Sequence, residues 1–405
     1  MGDAEHTGPL AGLRVLELGS FIAGPFAGQL LGDYGAEVIK VETPGEGDPM
    51  RTWGLTRDGQ GLWWPAIARN KRSVAIDLRQ EAGRDLVRRL AANADVILEN
   101  FRPGRLDEWG LGAARLRPDN PGLIVVHVSG FGQTGPRASE AGFGSIGEAM
   151  GGIRATTGDP DRPPARCGIS LGDALAGLFA VVGTLAAVAE RSRSGRGQEV
   201  DVAIYEAVAA LMESTLADFE VGGVTRTRTG SVLPGVAPAN AYRTAEGSDV
   251  LIAGNADSVF ARLCDAMGRP ELADDTRFAD HASRGRNMDE LDRLIDAWTR
   301  GFDTEGLLAL LSAHGVPAGR VYTPADMVDD PHYLARRMVV RAASRAGYEV
   351  PMPGVVPKFS RTPGQITDVG PDLGEHTRRV LAELAGVGDE EWSALQVAGV
   401  VAGPS

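Results

Sequence analysis

Five short apolar runs in the first 132 residues constrain the fold more than any other feature: Leu13 to Gly19 (LRVLELG), Ala36 to Glu42 (AEVIKVE), Ser73 to Leu78 (SVAIDL), Ala94 to Asn100 (ADVILEN) and Leu123 to Gly132 (LIVVHVSGFG). Each is strand-length and dominated by Val, Ile and Leu, the pattern of strands buried on both faces of a parallel sheet. Between the first two lies SFIAGPFAGQLLGDYG, where Pro25 suits a first helical turn, Leu30 and Leu31 supply an apolar face and Gly35 suits the exit. Such a strand, helix, strand unit is the first half of a Rossmann-like sheet. The fold class is therefore α/β. Gly19, Gly24 and Gly28 do not make the dinucleotide fingerprint, so no nicotinamide cofactor is expected.

A chain of 405 residues exceeds one average core, and two domains are expected. Residues 195–220 read as a strand followed by a long helix. Residues 221–239, rich in Gly, Thr, Arg and Pro, read as a linker or lid. A smaller α+β domain is expected next, with strands around Asn240 to Ala253 and helices near Ser258 to Met267, Met288 to Arg300 and Thr304 to His314. The organisation expected is thus a large domain over residues 1–220, a linker and small domain over 221–330, and a return to the large domain over 331–405. That return carries a strand-rich stretch (Met338 to Val356) and a C-terminal helix (Gly374 to Leu384).

The formal charge of −13 argues against nucleic acid or a membrane surface as partner, since both need a basic field. Two cysteines cannot build a disulfide framework, the tail MGDAEHTGPL has no signal-peptide core, and a cytoplasmic location is expected. The six histidines are scattered singly, so no metal site is expected.

The run Gly168 to Ala189 is the longest apolar stretch and carries one carboxylate, Asp173. With that acid inside it, many Gly and Ala residues, and charges from Glu190 onward, it reads as a buried helix rather than a membrane span. Asp173 is then either a first-turn acid stabilised by the helix dipole or an ionised carboxylate available as a nucleophile. Asn100, Phe101 and Arg102 close a predicted parallel strand, at the edge where open α/β sheets bind ligands. Trp53, with Trp63 and Trp64, makes the next loop aromatic, which suits either a site wall or local packing. Arg69, Lys71 and Arg72 are either an anion site or solvated surface charge. Cys167 is close to Asp173 but has no histidine nearby in sequence to activate it.

Taken in order, PLAGLRVLELGSFIAGPFAGQLLGDYGAEVIKVE, GDPMR, NKRSVAIDL, ADVILENFRPG, VSGFGQTGP, GDALAG, GRGQEVDVA, GVPAGRVYTPADMVDDPHYLARRM and LGEHTRRVL resemble the class III coenzyme A transferases, a family that includes formyl-CoA, carnitine and dicarboxylate CoA-transferases. The resemblance implies a Rossmann-like large domain, a smaller inserted domain and an interlocked homodimer. It implies transfer of CoA from an acyl-CoA to a carboxylic acid with no prosthetic group, and a catalytic aspartate at Asp173. Residues implied near CoA are Ile22, Ala23, Ile76, Asp77, Leu78, Arg79, Asn100, Phe101, Arg102, Ala141, Gly142, Phe143 and Gly144. Thr43 and Glu108 stand where the formyl-CoA transferases carry arginines, which leaves Arg102, Arg105, Lys71 or Arg72 to meet the phosphates.

The implied chemistry is attack of Asp173 on the thioester, with oxyanion donors expected from the GFGQTGP loop or the segment near Gly230 to Gly235. Two alternatives share the fold. An α-methylacyl-CoA racemase pairs an aspartate with a histidine, in whose place this chain has Phe143; the other is a CoA-binding protein without activity. Arg102, Arg166, Arg226 and Arg228 are candidates for binding a second carboxylate, which suggests succinyl-CoA with a dicarboxylic acceptor.

Overall fold

The computed structural model describes residues 8–404; the first seven residues of the tail MGDAEHTGPL lie outside them. The chain divides into two compact units. One comprises the chain up to Ile153, Cys167–Glu220 and the chain from Pro331 onward; the other comprises Arg154–Arg166 and Val221–Asp330.

The first unit opens with β1 (Arg14–Glu17), α1 (Ala23–Asp33) and β2 (Glu37–Glu42), followed by β3 (Lys71–Ile76), α2 (Glu81–Ala91), β4 (Val96–Glu99) and β5 (Ile124–Ser129). A short helix α3 (Gly144–Met150) precedes the 24-residue α4 (Leu171–Ser194), which leads to β6 (Glu199–Ala203). The long helix expected before residue 220 is two short ones, α5 (Ile204–Ala209) and α6 (Thr215–Glu220). Glu213, between them, has φ +51°, a left-handed conformation that no continuous helix contains.

The second unit holds a three-stranded antiparallel sheet, β7 (Ala239–Arg243), β8 (Asp249–Ala253) and β9 (Ala318–Arg320), with β8 central. Helices α7 (Asp257–Ala266), α8 (Met288–Thr299) and α9 (Thr304–Ala313) share a core with its inner face, in which Tyr242, Val250 and Ile252 meet Phe260, Leu291 and Leu307. Buried Arg284 donates to the carbonyls of Ala237, Phe278 and Asn255 and lies over the Phe260 ring.

From Pro331 the chain adds the hairpin β10 (Val339–Ala343) and β11 (Glu349–Pro353), α10 (Thr377–Ala385), α11 (Asp389–Val397) and a two-residue strand β12 (Val401–Ala402). The large sheet has the order β12-β3-β2-β1-β4-β5-β6. All its neighbours are parallel except β12, which pairs antiparallel with β3. Successive residues of a strand serve opposite faces. Leu16, Ile39 and Ile97 join α2 and α10 in one core, while Val15, Val38, Val96 and Leu98 join α1 and α4 in the other.

By length and composition α4 is apolar enough to cross a membrane. In this fold its Ala176, Ala180, Thr184 and Ala187 are buried. Gly177 lets it approach α1 closely, since a Cβ there would lie 3.0 Å from the Ala23 carbonyl oxygen.

His127 on β5 is buried, with Nδ1 2.5 Å from Glu99 and Nε2 3.3 Å from Glu199. Burial alone would lower its pKa, but the hydrogen bonds and charges of Glu99 and Glu199 outweigh that and raise it above 6.5. Stability from this group is therefore full below pH 6.5 and is lost as pH rises through the raised value. His127→Gln should cost on the order of 1.5 kcal/mol at pH 6, the size of a charge-assisted hydrogen bond. Urea midpoints of variant and parent should converge above that pKa; a gap independent of pH would contradict the assignment.

Candidate active site

The order β3-β2-β1-β4-β5-β6 reverses between β1 and β4, and an open α/β sheet binds its ligands at the carboxyl ends of the strands flanking such a switch. A cavity of about 190 Å³ opens there. The turn after β1 (Ser20 to Ala23) and the turn after β4 (Asn100 to Pro103) supply two of its walls. Val128 to Gly130 at the end of β5, Ala141 to Phe143 ahead of α3, and Asp173 complete most of the rest.

Asn100 joins the first two walls. Its Oδ1 accepts the Ser20 N–H at 2.8 Å and its Nδ2 donates to the Ser20 carbonyl at 2.8 Å. Its amide is thus spent on holding the β1–α1 turn. Phe101 donates its N–H to Glu99 and packs edge-on against Trp109, with ring centroids 5.2 Å apart. Gly130 and Gly142 touch backbone to backbone, where a Cβ on Gly130 would lie 2.8 Å from the Gly142 Cα. The absence of side chains at both positions brings the β5 loop and the approach to α3 together.

Asp173 is the third residue of α4, inside its first turn, and Ser170 is the residue at the helix cap. The positive end of a 24-residue helix complements a carboxylate there. The acid packs on Gly144, the first residue of α3: a Cβ on Gly144 would lie 2.7 Å from Asp173 Cγ and nearer still to Oδ2. The contact is reciprocal, because a Cβ on Gly172 would lie 3.0 Å from the Gly144 carbonyl oxygen. Buried Glu148 accepts the Gly172 N–H at 3.3 Å and ties α3 to the same turn of α4.

Of the residues expected near CoA, Ile22, Ala23, Asn100, Phe101, Arg102, Ala141, Gly142 and Phe143 line this cavity with Asp173, and Gly144 lies beneath the acid. Ile76, Asp77, Leu78 and Arg79 do not line it. Ile76 ends β3, two strands from β1, and the other three follow it, with Arg79 paired to Asp77 at 2.8 Å. Trp53 stands beside the cavity, edge-on to Phe21 at 5.9 Å.

Phe21 itself went unnoticed in the sequence. It lines the cavity with φ +63°, a conformation costing a non-glycine residue roughly 1–2 kcal/mol, and nothing in its type announces it.

The cation cluster is neither the anion site nor the solvated surface charge that the sequence offered. Arg69 is buried against Asp33 at 2.5 Å, Lys71 is buried against Glu17 at 2.8 Å, and Arg72 pairs with Glu37 at 2.8 Å. Lys71 and Arg72 are therefore unavailable to replace the arginines absent at Thr43 and Glu108, and Arg105 pairs with Glu108 at 2.8 Å. Arg102 remains as an exposed cation on the cavity wall.

In the GFGQTGP loop the Gly132 and Gln133 N–H groups donate to Ser129 Oγ and Asp201 Oδ2, while Gly130 lines the cavity. Gly230 to Gly235 belongs to the second unit. Among the described residues no histidine lines the cavity, and Phe143, expected from the resemblance to stand where a racemase carries a histidine, is exposed. Among the described residues no group of three or more His, Cys, Asp or Glu side chains could hold a metal ion.

This arrangement sets Asp173 at a helix start, facing a small cavity whose apolar and backbone walls also carry Arg102 and Glu140. The chain's similarities agree with such a site. The profile of CoA-transferase family III matches residues 10–377. Over 394 residues, 97% of this chain and 98% of the relative, the protein is 55% identical to a succinyl-CoA–D-citramalate CoA-transferase of Chloroflexus aurantiacus. It is 38% identical to a succinate–glutarate CoA-transferase of Agrobacterium fabrum, covering 93% of this chain and 96% of that one. A crystal structure of a CAIB/BAIF family protein from Brucella suis superposes with a TM-score of 0.82 at 39% identity, covering 93% of this chain and 100% of that one. With a family match over residues 10–377 and relatives this similar, the chain belongs to CoA-transferase family III and is a class III CoA-transferase.

Proposed function

We propose that this enzyme moves CoA from succinyl-CoA to a small dicarboxylic acid of the citramalate type, with Asp173 as nucleophile. The observation that carries the chemistry is the Asp173 carboxylate on the cavity wall, packed on the glycine that opens α3. The donor and acceptor are argued from the 55% identity to the Chloroflexus enzyme.

In the first step an Asp173 oxygen attacks the thioester carbonyl, the C–S bond breaks, and a mixed anhydride and CoA thiolate form. The thiolate then attacks the aspartyl carbonyl, releasing the donor acid as its carboxylate and leaving an aspartyl-CoA thioester. The acceptor carboxylate attacks that thioester, expelling thiolate and forming a second anhydride. The thiolate attacks the acceptor's carbonyl, which gives the new acyl-CoA and returns Asp173. Every intermediate is an activated acyl group, so little free energy is lost along the path. A serine ester would be a trap by comparison.

Ile22, Ala23, Asn100 to Arg102 and Ala141 to Gly144 form the CoA-binding wall in this reading, with Ile76 to Arg79 further along the same strand edge. The stretches 1–220 and 331–405, less the Arg154–Arg166 segment that joins the second unit, form the CoA-binding domain, and 221–330 the linker and small domain. The enzyme acts as an interlocked homodimer. Leu178, Phe179, Val182 and Leu185 leave an exposed apolar stripe along α4, and such a stripe is the usual mark of a protein interface. A cytoplasmic location suits Cys167 and Cys264, both unpaired.

The test is an acceptor panel run with succinyl-, acetyl- and propionyl-CoA. Transfer from succinyl-CoA to citramalate or a related dicarboxylate should exceed transfer from the other donors at least tenfold. Preference for a monocarboxylic acceptor, or for acetyl-CoA, would overturn the substrate assignment. Deuterium wash-in at the α-carbon of a 2-methylacyl-CoA without any acceptor would instead indicate racemase chemistry.

A further inference from the structure

Beneath the cavity lies a buried set of charges that the transfer chemistry does not use. Glu17, Lys40, Asp48 and Lys71 are each at most 3% exposed. Lys40 Nζ lies 2.9 Å from Glu17 Oε1 and 2.8 Å from Asp48 Oδ2, and Lys71 Nζ lies 2.8 Å from Glu17 Oε2. Two ammonium groups and two carboxylates cancel, so the set brings no net charge to a ligand. Burying four charges is expensive, and replacing such sets by apolar residues is often neutral or stabilising. What they hold is therefore informative.

Their hydrogen bonds converge on the β1–α1 turn and the first turn of α1. Lys40 donates to the Gly19 carbonyl at 2.9 Å, Asp48 Oδ1 accepts the Phe21 N–H at 3.2 Å, and Lys71 donates to the Pro25 carbonyl at 2.7 Å. Asn100 holds Ser20 between them from the other side. Gly19, Ser20 and Phe21 are thus each fixed by a side chain reaching in from elsewhere in the fold. Asp48 is itself fixed, since its N–H donates to Glu42 Oε2 at 2.9 Å and Glu42 is held by Arg51. The conformation imposed is the one Phe21 disfavours, with φ +63°. Glycine would adopt it freely. Held this way, Phe21 lines the cavity and meets Trp53 edge-on.

We propose that Asp48 and Lys40 are positioning residues for acyl-CoA: by clamping the Gly19–Phe21 turn they set the aromatic wall, formed by Phe21 with Trp53 behind it, against which the thioester-bearing arm lies beside Asp173. They touch no substrate and act through the turn. Because the set is neutral, it acts through geometry and not through attraction of the phosphates. This rests on the cavity being the acyl-CoA site.

The test is a double-mutant cycle on steady-state kinetics with succinyl-CoA, using Asp48→Ala, Phe21→Gly and the pair. Each single variant should raise the acyl-CoA KM roughly tenfold while leaving the KM of the acceptor acid unchanged. The double variant should be no worse than the poorer single one, because Asp48 acts through Phe21. Asp48→Asn, which keeps an acceptor for the Phe21 N–H, should recover the KM to within about threefold of wild type.

A purely structural role predicts a lower Tm and a smaller active fraction, with the acyl-CoA KM unchanged. That result, or single-variant effects that multiply, overturns the clamp. Should Asp48→Ala fail to fold, Phe21→Gly decides alone, and a wild-type acyl-CoA KM there overturns the proposal. Asp173→Asn is the control on the site itself: if that variant turned over succinyl-CoA as wild type does, the reading of the cavity would fall, not only the clamp.

Discussion

Asp173→Asn should abolish turnover by at least about a thousandfold while leaving acyl-CoA binding within a few-fold of wild type. Asparagine keeps the shape of the side chain and its place in the first turn of α4, so the packing on Gly144 is preserved. What disappears is the anionic oxygen, and an amide cannot open a thioester to an anhydride. Intact mass spectrometry supplies an independent readout. Wild-type enzyme incubated with succinyl-CoA and no acceptor should carry a covalent adduct that hydroxylamine removes, and the variant should carry none. Cys167 provides the contrast, because it is exposed and a thiol nucleophile would give an adduct that survives Asp173→Asn. Turnover close to wild type in Asp173→Asn would remove the nucleophile from the mechanism. Loss of acyl-CoA binding together with turnover would instead mark Asp173 as part of the binding wall.

The parallel sheet was legible because its signal is local. Runs such as Val15-Leu16 and Val38-Ile39 bury both faces, and apolarity without alternation is what such strands look like in one dimension. β12 was not legible: two residues between glycine-containing turns carry no periodicity, and only pairing with Ile76 and Ala75 makes them a strand. The break at Glu213 was hidden for a related reason, since nothing in the residue type signals a left-handed φ. The candidate site divides the same way. The strand-end position of Asn100 to Arg102 is a local inference, whereas the fates of Arg69 and Lys71 depend on Asp33 and Glu17, far away along the chain. Cations that look like an anion site in sequence are consumed by partners that only the fold supplies. Asp173 stood out because it is the one carboxylate in a long apolar run. Its contact with Gly144 comes from α3, a helix that the sequence did not announce.

That contact makes Gly144→Ala the sharper test of geometry. An alanine at the first position of a helix is ordinary, and no left-handed backbone is required at Gly144. The added methyl nevertheless meets Asp173, 2.7 Å from Cγ and 2.9 Å from Oδ1. One side must give. α3 cannot retreat easily, because the Gly144 carbonyl is seated against Gly172, and a Cβ on Gly147 would already lie 2.5 Å from Ile204. The carboxylate is the movable part, and the strain falls on its orientation. A nucleophile displaced by about 1 Å loses roughly a hundredfold in rate. We therefore expect kcat to fall by about that factor, with acyl-CoA KM and Tm close to wild type and the covalent adduct forming slowly but still on Asp173. A fall in Tm that accounts for the lost activity would mean that α3 moved instead of the acid. Wild-type kcat would mean that the carboxylate has room to turn and that its packing on Gly144 does not set its aim.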